Sequence, residues 1–316
     1  LELDNTVLCR IKIENPNKNI KSNTLSSNIK NGVSSVFNYF HTNNVHTSES
    51  EDYFHVSAFE KNITRADWSN LELRVERNTY RLLELFEQHQ VKSTFFTLGW
   101  VAERCPQLIK AIVSQGHELA SHGYSHQRAT LMNTEQFRQD VSKSKQILED
   151  AAGQAIIGYR APSFSIDDSN TWVYDILIEL GFVYSSSTYP IKHDLYGVPT
   201  WPRFMYRRPE GIIEIPVPTS RKNQHNKGIG GGGYFRLFPY WFSKKRIDNY
   251  LRKEQQPYSF YFHPWEIDPK QPKVVGASFK SKLRHYLNLS HMKGKVVNLL
   301  EDYQWDTMKN VYLPKS

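Results

Sequence analysis

From about residue 45 onward the chain alternates between strand-like and helix-like segments, and this order most restricts its fold. Apolar or aromatic runs such as "KSTFFTLGW", "IIGYRAPSFS", "GIIEIPVPT" and "YSFYFHPW" are typical of buried strands. Between them, "ERNTYRLLELFEQHQ" and "TWVYDILIELG" carry apolar residues at helical spacing. Alternating β and α units predict a mainly parallel sheet with helices outside it, either a barrel or a doubly wound sheet.

Local signals mark one helix clearly. Asn133 is predicted to cap it, with Gln136 reaching back as in a capping box, and Gly153 is predicted to end it. In "ERNTYRLLELFEQHQ", one helical face is formed by Thr79, Leu82, Leu83 and Phe86.

Residues 1–44 are rich in Asn, Ser and Lys and have no sustained hydrophobic period. We therefore expect a poorly ordered extension, followed by one catalytic domain over residues 45–316. No apolar run approaches the roughly 20 residues that would span a membrane. The first residues also lack a signal-peptide pattern, so a cytoplasmic location is expected, although a chain that does not begin with Met is compatible with a removed leader.

Two cysteines, Cys9 and Cys105, are too few for a disulfide framework or a cysteine-based zinc site, and free thiols are expected. The net charge of +8 is uneven, because residues 270–316 carry nine Lys and Arg against three Asp and Glu. This excess is either a solvated basic face or a surface for peripheral association with an acidic polymer or a membrane. We expect no nucleic-acid partner.

The stretch "HELASHGYSH", residues 117–126, holds three histidines, and His122 and His126 stand four apart. Gly123 interrupts any helix between them, and the pair follows a predicted strand end, where α/β proteins build their sites. Neutral imidazole is a good ligand for Zn²⁺, and a catalytic zinc needs about three protein ligands. A third ligand would be a carboxylate or another histidine.

Other segments supply groups of the right chemistry. In "HTSESEDYFHV", Glu49, Glu51 and Asp52 crowd the end of the first predicted strand, which is either an exposed acidic turn or a site neutralised by a cation. Arg160, at a strand end, can hold a carboxylate by two hydrogen bonds. His263 follows an aromatic strand and is placed for proton transfer. Each of these residues also has a purely structural interpretation when it is considered alone.

The run "GIGGGG", Gly228 to Gly233, satisfies the dinucleotide-binding pattern literally. No strand precedes it and no βαβ unit surrounds it, so we reject that interpretation. A loop that lets the backbone approach a ligand is expected instead.

In this order, "EDYFHVSAFE", "STFFTLGWVAERCPQLI", "GHELASHGYSHQ", "GYRAPSFSI", "GGGGYFRLFPY" and "FYFHPWEIDPKQP" resemble the polysaccharide deacetylases of carbohydrate esterase family 4. The resemblance runs from about residue 44 to about residue 310 and is greatest to the branch linked to exosortase systems and exopolysaccharide gene clusters. It implies a distorted (β/α)7 barrel and a divalent metal ion, commonly zinc.

The resemblance also implies residue roles. His122 and His126 match the two imidazole ligands, and the carboxylate ligand falls on Asp52 or Glu51, of which we favour Asp52. The catalytic base falls on Glu49, Arg160 braces it, and His263 is the acid. The residues expected to contact the substrate are Trp265, Pro162, Tyr234 and Asp194.

The chain departs from the family at the base, where a Glu replaces the usual Asp. The extra methylene moves the carboxylate by about 1.5 Å, and a misplacement near 1 Å can cost ~100-fold in rate. The first strand, "VHTSES", is also unusually polar for a barrel strand.

These features predict a metal-dependent N-deacetylase that releases acetate from N-acetylated oligo- or polysaccharides. Because of Glu49 and the polar strand, a catalytically silent carbohydrate-binding relative is the alternative. An amidohydrolase for a small cyclic amide is a third hypothesis, since related barrels use similar ligands.

Overall fold

The computed structural model describes residues 43–193 and 196–314, and the predicted alternation of strands and helices is present there. The strands are β1 (Asn44–Ser50), β2 (Thr94–Thr97), β3 (Glu118–Ser121), β4 (Gly158–Tyr159), β5 (Tyr184–Ser185), β6 (Tyr206–Arg207), β7 (Ile213–Glu214), β8 (Thr219–Lys222), β9 (His225–Gly228), β10 (Ser259–Phe262) and β11 (Trp305–Asp306). The helices are α1 (Val75–Gln88), α2 (Gly99–Arg104), α3 (Pro106–Ser114), α4 (Thr134–Ala152), α5 (Val173–Glu179), α6 (Gly232–Leu237), α7 (Tyr240–Glu254), α8 (Phe279–Tyr286), α9 (Leu289–Asp302) and α10 (Met308–Tyr312).

Among these helices, none has the length and apolar character needed to cross a membrane. Residues 1–42 lie outside the described residues, so the division into an extension and a domain stays a prediction.

Seven strands form a parallel sheet in the order β10-β1-β2-β3-β4-β5-β7, and β6 joins its edge antiparallel to β7. Short β11 adds a further parallel pairing to β1. The order runs in one direction without the reversal that defines a doubly wound sheet, and the sheet curls into a half-barrel. The predicted distorted barrel of seven strands is confirmed.

The local signals are confirmed as well. The Asn133 side chain accepts a hydrogen bond from the backbone N–H of Gln136, and the Gln136 side-chain oxygen accepts one from the backbone N–H of Asn133. Gly153 ends α4 with φ at 67°. Cys105 is a buried free thiol, while Cys9 lies outside the described residues. The predicted apolar face of α1 is buried at all four positions, Thr79, Leu82, Leu83 and Phe86.

The polar strand β1 is buried along its whole length, between β10 and β2. Two of its polar side chains have partners in the core. His46 Nδ1 lies 2.9 Å from the Ser93 hydroxyl, and the Thr47 hydroxyl donates to the Phe260 carbonyl at 3.3 Å. Hydrogen bonds in the core thus account for His46 and Thr47, whereas the buried hydroxyls of Ser48 and Ser50 have no hydrogen-bond partner among the described residues.

The His46 imidazole is held uncharged in the core. Its ring packs against Phe86, Phe262 and Trp305. Burial, with a smaller contribution from His117, lowers the pKa of His46 from 6.5 to about 3. Because only the unfolded chain binds a proton on His46 between these values, the folded state loses stability as the pH falls below about 6.5.

We predict that His46→Phe reduces the acid sensitivity of folding. Between pH 7.5 and pH 5.5, proton uptake by His46 in the unfolded chain removes about 1.4 kcal/mol from the free energy of unfolding. Phenylalanine keeps a ring among the aromatic neighbours, and the Ser93 hydroxyl keeps its bond to the carbonyl of residue 46 at 3.1 Å. Urea unfolding at the two pH values should show that the variant loses about 1.4 kcal/mol less than the parent protein.

Ser93→Ala is the matched control, because it removes the partner of the imidazole and keeps the imidazole itself. It should retain the acid sensitivity of the parent. Equal acid sensitivity in His46→Phe and the parent would contradict the prediction.

Candidate functional site

The candidate residues converge at the carboxyl ends of four strands. Glu49 is the second-to-last residue of β1, and Glu51 follows the end of this strand. His122 comes directly after β3, Arg160 after β4 and His263 after β10. Parallel strands bring these ends to one edge of the sheet, which is where barrels of this kind build their sites.

Glu51, His122 and His126 form a cluster with the chemistry of a metal site. One ligand atom from each lies within 4.8 Å of the other two. The Nδ1 atom of His122 is 2.8 Å from the Arg160 carbonyl, which fixes the ring, and its buried Nε2 has no hydrogen-bond partner among the described residues. Two imidazoles and one carboxylate are a ligand set that a catalytic zinc accepts.

The loop that carries His126 has an unusual backbone. His126 adopts φ of 52°, and Gly123 adopts φ of 74°. A Cβ at Gly123 would lie 2.8 Å from the Asp140 carboxylate, which accepts hydrogen bonds from the backbone N–H groups of Tyr124 and Ser125. Such left-handed conformations at non-glycine residues are costly and collect at functional sites.

Asp52, which the sequence analysis favoured as the carboxylate ligand, does not join this cluster. Its Oδ2 accepts from the backbone N–H groups of Arg74 and Val75 at the start of α1, and its Oδ1 accepts from that of Tyr53. Burial raises the pKa of Asp52 to about 6. The preference for Asp52 is therefore corrected to Glu51. Side chains alternate along an extended strand, so residues 49 and 51 share one side, and this signal could have separated them.

Glu49 lies between two cationic groups. Its Oε1 is 3.0 Å from Nη1 of Arg160, and its Oε2 is 3.0 Å from Nε2 of His263. Arg160 is itself buried and also donates to Thr47 and to Ser186. Burial alone would raise the pKa of Glu49, but His263 and Arg160 hold it well below its usual range. Arg160 thus braces Glu49 as the resemblance implied.

The residues that orient His263 were not predicted from the sequence. Nδ1 of His263 is 2.9 Å from Oε1 of Glu266, and Glu266 accepts a hydrogen bond from Nε of Arg236 at 2.7 Å. Burial alone would lower the pKa of His263, but the surrounding carboxylates raise it well above its usual range. The acidic residue three positions after the histidine in "HPWE" was an available signal, whereas Arg236 is distant in sequence.

The expectation that no strand precedes the glycine run is wrong, because β9 ends at Gly228, but β9 pairs antiparallel with β8 and so forms no βαβ unit with it. A Cβ at Gly232 would lie 2.3 Å from the Glu266 carboxylate, and one at Gly231 would lie 2.7 Å from the Tyr261 ring. The close approach expected at Gly228 to Gly233 therefore occurs against side chains of this chain, and the last glycines begin helix α6.

Beside the cluster lies a cavity of about 280 Å³ that Glu49, Glu51 and His263 line. Trp265 forms part of its wall, as expected, and its ring stacks between those of His263 and His285 at 5.1 Å and 4.0 Å. This stacking gives the cavity an aromatic side next to the imidazole.

Pro162 and Tyr234 are not among the residues that line this cavity, and their contact with substrate stays a prediction. Pro162 is buried, and its carbonyl accepts a hydrogen bond from Ser165. Tyr234 is 41% exposed at the start of α6. From these two segments, the cavity wall is formed by Ser163, Phe164, Gly233 and Arg236. Asp194 lies outside the described residues, so its contact stays a prediction.

We predict that Glu51→Gln weakens binding of a divalent ion about 100-fold or more, since loss of an outer partner alone costs 10–100-fold. Titration calorimetry with Zn²⁺ measures the affinity. Asp52→Asn makes the same change one residue later and should leave the affinity within about threefold, because an asparagine oxygen still accepts at a helix start. A large loss of Zn²⁺ affinity in Asp52→Asn, with little loss in Glu51→Gln, would instead identify Asp52 as the ligand.

We also predict opposite effects on stability for neighbouring glycines. Gly232→Ala should lower the free energy of unfolding by about 1–3 kcal/mol, because the added methyl group meets the buried Glu266 carboxylate. Gly233→Ala meets no atom within 4 Å and should raise that free energy by about 0.4–1 kcal/mol. Urea unfolding of both variants measures these changes, and equal values would show that Gly232 is not needed for the close approach.

Comparison with known proteins supports this description. Residues 67–184 match the family described as polysaccharide deacetylase, and residues 186–313 match a domain of unknown function, DUF3473. A peptidoglycan-N-acetylglucosamine deacetylase of Bacillus cereus is 38% identical over 84 residues, which are 27% of this chain and 30% of that protein. The chain spans about a third of the length of the curated relatives it matches.

Two solved structures share the fold. A "probable polysaccharide deacetylase" from Pseudomonas aeruginosa PAO1 superposes with a TM-score of 0.53 at 18% identity, over 84% of this chain and 88% of that one. The PuuE allantoinase superposes with a TM-score of 0.53 at 16% identity, over 86% and 91%. Identity this low establishes the barrel alone, whereas the family match covers the strands that bear His122, His126 and Arg160. Residues 67–184 of the chain therefore match the polysaccharide deacetylase family, and this is the family that the motifs resemble.

Proposed function

We propose that this protein is a metal-dependent N-deacetylase that hydrolyses the acetamide of N-acetylglucosamine-type units in an exopolysaccharide or its precursor. The observation that carries the proposal is that one cavity joins a His-His-carboxylate cluster to a second carboxylate and an imidazole. The relatives of this chain include a peptidoglycan-N-acetylglucosamine deacetylase and a chitooligosaccharide deacetylase, which supports the substrate class.

Glu51, His122 and His126 would hold the metal ion, with Zn²⁺ as the proposed ion. The unpartnered Nε2 of buried His122 supports this fit, because a buried polar atom normally has a partner. When bound, a divalent ion supplies Lewis acidity, which makes water nucleophilic near neutral pH and stabilises negative charge on a carbonyl oxygen.

Glu49 would accept the proton of the attacking water. Glu49 is ionised at neutral pH, and Nη1 of Arg160 fixes its position at 3.0 Å. Because Glu49 reaches both Arg160 and His263, the longer side chain is already accommodated at the base position. This contact favours an active enzyme over the silent relative.

His263 would protonate the departing nitrogen, since an amide anion is too basic to leave unprotonated. Its raised pKa keeps the proton available at Nε2, while Glu266 holds Nδ1. The substrate amide would enter between Glu49 and His263, which are in direct contact in this structure. The stacked Trp265 would seat the acetyl methyl group.

The basic region of residues 270–316 supports peripheral association with a negatively charged surface in the cell. A polymer that is made or exported at such a surface would be consistent with an exopolysaccharide substrate.

We predict that the protein releases acetate from N-acetylglucosamine oligomers and that chelation abolishes the release. Restoring Zn²⁺ should restore it. His122→Ala should lower kcat/KM at least about 1000-fold, because it removes a proposed metal ligand, and His263→Asn should lower kcat about 100–10000-fold, as loss of a general acid does. An enzyme-coupled acetate assay measures all of these, with circular dichroism as the control for folding.

Glu49→Asp tests the silent alternative. The proposal predicts that the parent protein is already active and that Glu49→Gln is not. If neither the parent nor Glu49→Asp releases acetate with any divalent ion, while sugar oligomers still bind, the protein is a carbohydrate-binding relative.

A small cyclic amide is the second candidate substrate, because a solved allantoinase shares the barrel. The same assay, run on a panel of cyclic ureides beside the sugar oligomers, separates the two. Turnover of ureides without acetate release would replace the proposed activity.

A further inference from the structure

Helix α8 and the loop before it expose apolar side chains instead of burying them. Val275 is 89% exposed, Phe279 is 81% exposed and Leu283 is 48% exposed. Phe279 and Leu283 are four residues apart and so lie on one side of the helix. We call this surface, with its cations Lys273, Lys280, Lys282 and Arg284, the α8 face.

The opposite side of α8 is anchored in the protein. His285 is 3% exposed and stacks on Trp265 at 4.0 Å, and its Nε2 lies 2.6 Å from the Gln271 side chain. The orientation of the helix is therefore fixed by contacts at the site, and the exposure of Phe279 and Leu283 follows from it.

The α8 face is uniformly basic. Residues 269–300 contain no Asp or Glu, and no described residue forms an ion pair with Lys273, Lys280, Lys282 or Arg284. Lys273 and Lys282 instead flank a cleft of about 320 Å³ beside Leu283 and Tyr286. Elsewhere the structure pairs such groups, as in Arg203 with Glu254 at 2.8 Å.

We propose that the α8 face docks on an anionic lipid bilayer. Val275, Phe279 and Leu283 enter the headgroup region, and the surrounding cations contact lipid phosphates. Protruding apolar side chains framed by Lys and Arg are the composition of interfacial helices.

Two other occupants fit the face less well. A second copy of this chain, placed symmetrically, would set cations against cations, because the face carries no acidic residue. An acidic polysaccharide would use the cations and leave exposed Phe279 and Val275 without a partner.

Docking through this face has a consequence for the cavity. Arg284 and His285 belong to α8 and also line the wall of the cavity. The bound bilayer would therefore lie beside the cavity mouth, and a saccharide carried on a lipid anchor would reach it directly. This consequence rests on the proposed deacetylase function, whereas membrane docking does not.

Co-sedimentation with vesicles tests the docking. The whole protein should bind vesicles of phosphatidylglycerol and phosphatidylcholine and should bind pure phosphatidylcholine far less. Phe279→Ser with Leu283→Ser should weaken binding about tenfold or more. Lys273→Gln with Lys280→Gln should weaken it about 25-fold, at about fivefold for each cation near an anionic surface, and added salt should reduce the difference.

Val183→Ser with Met205→Ser is the matched control, because these side chains are exposed by 45% and 44% beside β5 and β6. It should bind vesicles as the parent does. Equal binding by the control and the Phe279 and Leu283 variant would overturn the proposal, as would binding of the parent to both lipid compositions alike. A change in oligomeric state without a change in vesicle binding would assign the face to a second copy.

Activity separates docking from the proposed function. The Phe279 and Leu283 variant should release acetate from soluble oligomers at the rate of the parent and lose activity only on a lipid-anchored saccharide in vesicles. If neither the parent protein nor this variant releases acetate but the vesicle-binding results are as expected, membrane docking is supported and the deacetylase proposal is wrong.

Discussion

Two carboxylates, Glu49 and Glu51, are buried at the end of the central strand β1, with exposures of 5% and 1%. Buried like charges this close are unfavourable unless cations offset them. Arg160 and His263 offset the charge of Glu49, and Nε2 of His126 lies 2.7 Å from Oε2 of Glu51. The ends of β3, β4 and β10 supply these groups, so the order of the parallel strands determines the site.

Further residues hold His263 in place beside Glu49. Glu266 holds His263 and is in turn paired with Arg236, whose guanidinium donates to backbone carbonyls at the end of α8. Gly232 allows Glu266 this position, because any side chain would meet its carboxylate. A line of hydrogen bonds thus connects the imidazole to the helix that forms the basic, apolar surface. The packing that orients His263 also fixes which side of α8 faces outward.

Glu49 is the main departure from the pattern that the family resemblance implies, and its neighbours show how its side chain fits. Glu49 reaches Arg160 and His263 at 3.0 Å each, within a strand whose polar side chains His46 and Thr47 have partners in the core. The polar side chain of Thr47 and the longer side chain of Glu49 therefore belong to one buried network, which Arg160 joins. Neither feature is by itself a sign of a lost site.

The sequence pattern alone determined the alternation of strands and helices, the caps at Asn133 and Gly153, and the positions of His122, Arg160 and His263 just after strands, whereas the barrel was implied by the family resemblance of the motifs. These features depend on hydrophobic period and on residues close in the chain, which local sequence encodes. Only the tertiary structure decided between Glu51 and Asp52, because adjacent side chains point to opposite sides of an extended strand and helix α1 takes up one of them. It also decided that Glu266 and Arg236 orient the imidazole of His263. It decided as well that Ser163 and Gly233, rather than Pro162 and Tyr234, line the cavity. Such contacts join residues distant in the chain and depend on how the half-barrel packs.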